Sequence, residues 1–426
     1  MRRARFFVWI LPCISAAGAW GAVGELKPVA VDLQTLSAAG VRPRSVYTRS
    51  VANAPAGCGT VHPQAKVATV VSGSMRIAVA LDAVKADAKA LDVVRFNFTG
   101  EKRFQNAATL PLKARSVSRR SATPSAIVSS PYFTFGPSTV NVPRGGSTVP
   151  VTISGQYYAG TQRSNYKYVR LNLMAAAEGS CRFGDKTFGV RVIDGTGNLE
   201  FGDAAGVTQK DGRVMLPKGS RTLAADTLLI DTGSEQFKKA GLKAQCGELV
   251  SLNGTLYHVR FSAGGTKVSA EPSDVKLGKI TVPGDSWSVT LVGTKHVLQL
   301  SGGAEPVEVP VDQYVAGNYQ ASTKSDAPNR PSRLRSGYYV MYGRETGKVF
   351  EVKAGEVTKV PVGAPLTAAV AVTKSGKNVR LNALVRDASG ARVSSIYGPK
   401  GRPKAPTVTV FNDKREEVYR TSLKYG

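Results

Sequence analysis

The feature that most constrains this chain is its recurring alternation of polar and apolar residues with period two, broken by short runs of turn formers. Ser286-Trp287-Ser288-Val289-Thr290-Leu291 alternates cleanly, Gly293-Thr294-Lys295 follows as a turn, and Val297-Leu298-Gln299-Leu300 returns. Tyr338–Tyr342 and Lys348–Val352 flank Gly343–Gly347 in the same manner, as do Thr407–Phe411 and Glu417–Thr421 around Asn412–Arg415. Such runs, rich in β-branched and aromatic residues, read as β-hairpins. Period two places the apolar residues on one face, which must be covered by a second sheet. Helical periodicity is scarce, with Leu81–Leu91 the best candidate. The expected fold is all-β, with two or three consecutive β-sandwich domains of immunoglobulin-like kind.

The N-terminus reads as a signal peptide over residues 1–22. Arg2, Arg3 and Arg5 precede a mostly apolar run, Phe6–Ala17, too short to span a bilayer, and Ala17-Gly18-Ala19 offers a cleavage site. No later stretch has the roughly 18 apolar residues of a membrane helix. An exported chain that is not an integral membrane protein is expected. Ser116–Pro131 and Ala321–Ser336 lack periodicity and read as linkers. The expected division is an N-terminal β domain over 23–165, a central β domain with acidic loops over 166–300, and a C-terminal β-sandwich over 301–426. A faint repeat of strand, glycine turn, strand and Pro-Val occurs around Val140–Val151, Leu298–Val311 and Phe350–Val362. It fits similar hairpins, arising by duplication or by convergence.

The formal charge is +27, and +24 without the three N-terminal arginines. Such a field attracts polyanions and is sensitive to salt. For an exported chain, acidic polysaccharide or another polyanionic surface is the expected partner. Basic clusters occur at Lys113-Arg115-Arg119-Arg120, Arg330-Arg333-Arg335 and Lys400-Arg402-Lys404, the last two near Tyr338, Tyr339, Tyr342 and Tyr397. No signature of a specific nucleic-acid binder accompanies them. Cys58, Cys181 and Cys246 would survive cleavage. They allow one disulfide, but their scatter fits small apolar core residues better and excludes a CxxC metal site.

Between Glu178 and Glu235 the balance reverses, with nine acids against seven bases. If any part of the chain binds a cation, it is this one. In Asp194-Gly195-Thr196-Gly197-Asn198-Leu199-Glu200-Phe201-Gly202-Asp203, oxygen-bearing side chains alternate, so that Asp194, Thr196, Asn198, Glu200 and Asp203 could converge on Ca²⁺, which takes six to eight oxygens. The segment resembles the calcium loops of EF-hand-like and dockerin-like proteins. It departs from them at Leu199, where the sharp-turn glycine belongs, and at Ala205, where the bidentate glutamate belongs. A plain hairpin turn accounts for the same residues.

Leu228-Leu229-Ile230-Asp231-Thr232-Gly233-Ser234-Glu235 is an apolar strand running into Asp-Thr-Gly. Over these eight residues it resembles the active-site motif of aspartic proteases, while Lys239 departs from that consensus. The resemblance implies catalysis by Asp231, flanked by Thr232 and Gly233. The chemistry needs two carboxylates sharing a proton, so a second copy of the chain would have to supply the partner. Leu291-Val292-Gly293 stands where that family carries an apolar pair before glycine. The alternative is a core strand ending in a polar turn.

The order of Cys181–Asp185, the Asp194 loop, Asp226–Asp231, Tyr257–Phe261 and the ending Pro406–Val410…Tyr425-Gly426 resembles bacterial secreted β-rich proteins of unknown function. That resemblance implies a non-enzymatic surface or envelope module. His62, His258 and His296 each stand alone in sequence, and no GxSxG elbow, HExxH helix or phosphate-binding loop occurs. The reading is an exported binding or structural protein engaging acidic polymers, with a calcium ion in the central loops. Its rival is an aspartic-type endopeptidase using Asp231.

Overall fold

The structure is a computed structural model. It describes residues 7–9, 23–31, 44–120, 127–159, 167–215, 225–322, 337–340, 348–397, 404 and 407–422, apart from 73, 106, 145, 212, 234–236, 238–241 and 377. The chain is all-β, and among the described residues its ladders are antiparallel apart from one parallel pair, Leu277–Thr281 with Val357–Lys359. A turn of 3₁₀ helix, Ala263–Gly265, follows strand Thr255–Phe261. Leu81–Leu91, expected as a helix, is the end of strand Met75–Asp82 followed by turns. Ile77, Val79 and Leu81 share the period of a strand and fill the core.

One nine-stranded sheet runs, in spatial order, Arg44–Thr48, Tyr168–Met174, Ser147–Tyr158, Ile127–Arg144, Ala108–Arg120, Val93–Asn97, Met75–Asp82, Lys66–Ser72 and Val51–Asn53. Its first and last strands are joined in sequence by Arg49 and Ser50 alone. Such a link reaches only about 10 Å, so opposite edges of the sheet must meet. The sheet is therefore rolled, and Arg44–Thr48 packs beside Lys66–Ser72.

The second nine-stranded sheet runs Phe7–Trp9, Glu248–Leu252, Thr255–Phe261, Lys267–Pro272, Gly24–Val29, Ala176–Phe183, Lys186–Ile193, Thr227–Asp231 and Leu242–Gln245. The two sheets share one core, in which Val70, Phe96, Ile153 and Leu171 are continuous with Phe183, Val192, Ile230 and Val250. A second core lies between the three-stranded sheet around Leu277–Thr281 and the six-stranded sheet around Ser286–Gly293. Ala205, Val207, Val214 and Ala225, from the acidic central segment, reach into that second core.

Ladders cross both expected boundaries. Ser147–Tyr158 pairs with Tyr168–Met174 across 165, and Ser286–Gly293 pairs with Asp312–Ser322 across 300. The first expected linker is a ladder as well, because Ser116–Arg120 pairs with Ile127–Pro131 as the far end of a long hairpin. Most of the second, 323–336, lies outside the described residues, as does most of the segment read as a signal peptide.

The hairpins at Ser286–Gly302 and Thr407–Ser422 form as expected. The one around Gly343 does not. Gly337–Val340 pairs with Asp312–Ser322 and Val393–Tyr397, while Phe350–Val352 joins Asp312–Tyr314. Of the three repeat-like segments, only Val140–Val151 is a hairpin. Val307–Pro310 and Val357–Lys359 both pair with Leu277–Thr281 instead of with their sequence neighbours. Cys58, Cys181 and Cys246 are buried thiols, not joined in a disulfide. Burial pushes the Cys181 thiol up to about 12, which makes it an inert packing residue at neutral pH.

Candidate functional site

The acidic loop folds around two buried carboxylates. Strand Lys186–Ile193 ends at Asp194, and Asp226 precedes strand Thr227–Asp231, its neighbour in the sheet. Asp194 is 4% exposed and Asp226 is 0%. A buried carboxylate is costly unless its lone pairs are filled, and here backbone amides fill them. Gly195 and Thr196 N–H donate to Asp226 Oδ1 at 2.8 and 3.3 Å, and Gly202 and Asp203 N–H donate to Oδ2 at 2.9 and 3.0 Å. Asp194 accepts from Leu199 N–H at 2.8 Å and from Gly197 N–H. Thr196 Oγ1 lies 3.2 Å from Asp194 and 3.0 Å from Asp203, and Asn198 Nδ2 donates to Asp203 at 2.7 Å. Glu200 turns outward and pairs with Arg144.

Glycine is required at two points. A Cβ at Gly195 would collide with the Ala225 carbonyl oxygen. Gly202 has φ +100 and lies so close against the Phe261 side chain that a Cβ has no room. Leu199 has φ +62. It makes the left-handed turn for which a calcium loop uses glycine, at a cost of about 1–2 kcal/mol. Its N–H bond to Asp194 and its buried side chain hold it there.

Asp194, Thr196, Asn198 and Asp203 are thus brought together as the sequence suggests, and Asp226 joins them. The oxygens of Asp194 and Asp226 accept backbone N–H donors, while Asp203 Oδ2 is met by the Thr196 and Asn198 side chains. The described residues include no group of three or more His, Cys, Asp or Glu side chains placed to hold a metal. Burial pushes Asp226 up to about 8, with the charges of Asp194 and Asp203 adding to it and the amides of Asp203 and Gly195 opposing it. Burial likewise raises Asp194 against its amide donors.

Asp231 ends strand Thr227–Asp231, opposite Gly189. It is half-buried, its Oδ1 accepts from Gly233 N–H at 3.1 Å, and Thr232 and Gly233 are exposed. This is an Asx-type turn closing a strand whose residues Leu228 and Ile230 face the main core while Leu229 packs with Val31 and Phe237. Ser234, Glu235 and Lys239 lie outside the described residues.

His62 and His258 each meet an oxygen acceptor or hydroxyl, and His258 lies near enough to His296 for its charge to act on that ring. His62 Nε2 contacts Ala88 O at 3.0 Å, and His258 Nε2 contacts Ser273 Oγ at 2.9 Å. His296 is buried in the turn before Val297–Gly302, beside Asp312, and burial pushes it down to about 4 against the pull of that carboxylate. Asp312 itself accepts from the Lys295, His296 and Gln313 amides, at 2.8, 3.2 and 2.8 Å. Asp82 does similar work, accepting from Val61 and His62 N–H and pairing with Arg95 at 2.9 Å. The sequence signal for these loop-holding aspartates is weak: each stands at a strand end, and only the fold shows which amides it meets.

Charge is distributed unevenly between the two large sheets. The strands of the rolled sheet hold ten bases, Arg44, Lys66, Arg76, Arg95, Lys113, Arg115, Arg119, Arg120, Arg144 and Arg170, and one acid, Asp82. The strands of the other sheet hold seven bases and five acids. Arg191 pairs there with Glu178, and Arg260 with Glu271. The basic cluster from Lys113 to Arg120 lies on one strand of the rolled sheet, while 330–336 and 400–402 fall outside the described residues. No helix among the described residues is long and apolar enough to cross a membrane. No protein-family model matches the chain, and no curated protein or solved structure matches it either.

Proposed function

We propose that this chain is an exported, non-enzymatic binding or structural protein of the cell surface or periplasm, which engages acidic polymers through a basic surface. The observation that carries this reading is the ten-to-one excess of bases on the strands of the rolled sheet. Cations gathered on one rigid sheet create a local positive potential, which draws flexible anionic chains and holds them in a salt-sensitive way. The central carboxylates hold a loop in place in this reading, and the two smaller sheets that share the second core form an immunoglobulin-like sandwich.

The test is retention of the purified chain on immobilised polygalacturonate across a salt gradient. Retention at about 50 mM salt with elution as screening shortens the Debye length is expected, and passage in the void volume overturns the reading. A quenched-peptide library from about pH 3 to 7, the window of a shared-proton carboxylate pair, tests the rival. Cleavage that vanishes in Asp231→Asn would replace this reading with an aspartic peptidase.

A further inference from the structure

The outer face of the rolled sheet carries an ordered polar and aromatic surface around strands Arg44–Thr48, Tyr168–Met174 and Ser147–Tyr158. On its edge strands Val46, Tyr157, Val169 and Leu171 point into the core. Alternation turns Tyr47, Gln156, Tyr158, Tyr168 and Arg170 outward. Register aligns these in two cross-strand rows. Tyr47 stands opposite Arg170, and Arg170 opposite Gln156. Tyr168 stands opposite Tyr158, and Tyr158 opposite Tyr132.

Between the rows lies an open groove of about 370 Å³ lined by Ser45, Tyr47, Gln156, Tyr168 and Arg170. That volume is at the small end of ligand sites. All of the lining but Tyr47 is held by hydrogen bonds to its neighbours: Arg170 Nε donates to Ser45 Oγ at 2.5 Å, Ser45 Oγ to Asn172 Oδ1 at 2.9 Å, and Gln156 Nε2 to Tyr168 Oη at 2.9 Å. Side chains fixed before binding lose little entropy when a ligand arrives.

We propose that this groove binds an anionic saccharide, with Tyr47 and Tyr168 flanking a sugar ring and Arg170 engaging its carboxylate or sulfate. The proposal rests on the acidic-polymer reading and locates it. Three observations select this ligand chemistry. Tyr47 is 60% exposed, so it offers an open aromatic face to the C–H side of a sugar. Arg170 is exposed and in no ion pair among the described residues, and a guanidinium fork matches carboxylate and sulfate oxygens. The five adjacent strands from Arg44–Thr48 to Ala108–Arg120 contain seven bases and no Asp or Glu, so nothing on them repels an anion.

A single-stranded nucleic acid fits less well. It needs successive open ring faces, whereas Tyr132, Tyr158 and Tyr168 lean on one another with centroids 4.9 and 5.5 Å apart.

The experiment is calorimetric titration of the full chain, at about 150 mM salt where long-range attraction is screened. The probes are tetragalacturonate, a heparin tetrasaccharide, neutral cellotetraose and a twelve-residue oligothymidylate. The proteins are the parent, Tyr47→Ala, Arg170→Gln and, as a control in a separate two-stranded hairpin, Lys414→Gln. The expected result is binding of at least one acidic saccharide, weakened about tenfold or more in Tyr47→Ala and Arg170→Gln and unchanged in Lys414→Gln. Circular dichroism and Tm identical to the parent would show that the variants fold.

Acidic saccharide binding that is equal in parent and variants overturns the groove and leaves the general basic surface standing. No binding of any acidic saccharide by the parent overturns the groove, and failure of polygalacturonate retention as well overturns the underlying reading. Tighter binding of the oligothymidylate through the same residues, or equal binding of cellotetraose, overturns the assigned ligand class.

Discussion

Both large sheets have nine antiparallel strands and share one apolar core, yet they treat charge differently. In the sheet around Ala176–Phe183, Arg182, Arg191 and Arg260 are each paired with an acid. Arg191 bonds Glu178 and its guanidinium sits 4.6 Å over the Phe237 ring. The loop at the end of the neighbouring strands uses the carboxylates of Asp194 and Asp226 to hold its own backbone. The rolled sheet pairs Arg95 with Asp82 and Arg144 with Glu200 but, with its excess of bases, leaves Lys113 and Arg170 exposed and outside any ion pair among the described residues. Charges consumed internally fix a fold and are unavailable to partners. Charges that the fold does not need remain open to binding.

The sharpest way to break this contrast is Asp226→Ala. Four backbone N–H groups would lose their acceptor in a buried loop, and orphaned buried donors cost about 1–3 kcal/mol each. A loss of about 4 kcal/mol in urea denaturation is expected, with no comparable loss for Lys113→Gln. A smaller loss than about 1 kcal/mol would show that the loop does not depend on that carboxylate.

The same carboxylate sets a pH dependence. Its folded-state value of about 8 lies above the unfolded value of about 3.9. Its contribution to stability is therefore complete below about pH 4 and is lost as pH rises through about 8. His296 acts on the acid side. It is depressed to about 4 when folded, so its contribution is complete above about 6.5 and is lost as pH falls towards 4. Over about pH 4–6.5 the two slopes oppose and cancel, so Tm should fall mainly between about pH 6.5 and 8, and Asp226→Asn should flatten that limb. An unchanged limb in that variant would assign the slope elsewhere.

Removing a paired charge from the balanced sheet should cost less. Arg191→Met loses a partly exposed ion pair and a cation–π contact, for about 1–2 kcal/mol by denaturation. Lys113→Gln in the rolled sheet should change stability by less than about 0.5 kcal/mol while lowering the salt needed to elute the chain from polygalacturonate. Equal stability losses in the two variants would erase the distinction between the sheets. The smallest expected effect is that of calcium. Because backbone amides fill Asp194 and Asp226, millimolar Ca²⁺ is expected to leave Tm unchanged, and a rise of several degrees would show that an ion binds the loop.

Much of the architecture was legible from alternation alone. Ser286–Leu291 with Val297–Leu300 and Thr407–Phe411 with Glu417–Thr421 form as hairpins because period two and a short turn are local properties. The failure around Gly343 is equally instructive. Tyr338 and Phe350 lie close in sequence, but each strand found a longer-range partner in Asp312–Ser322. A strand's edges pair with whichever neighbour shares its core, and sequence distance does not decide that. Ser116–Pro131 lacks an apolar pattern and so reads as a linker, although its backbone pairs in a ladder whatever its side chains are.

The candidate sites divide in the same way. Adjacent residues suffice to make the chain β-built and strongly basic and to put Asp194, Thr196, Asn198 and Asp203 in one loop, because turns and composition are local properties. Only the tertiary structure added Asp226 to that loop, placed Asp231 in a strand-ending turn, and set Tyr47 beside Arg170 and Gln156. Tyr47 lies more than a hundred positions from the other two. Their meeting is decided by strand register, and register follows from how whole sheets bury their apolar faces.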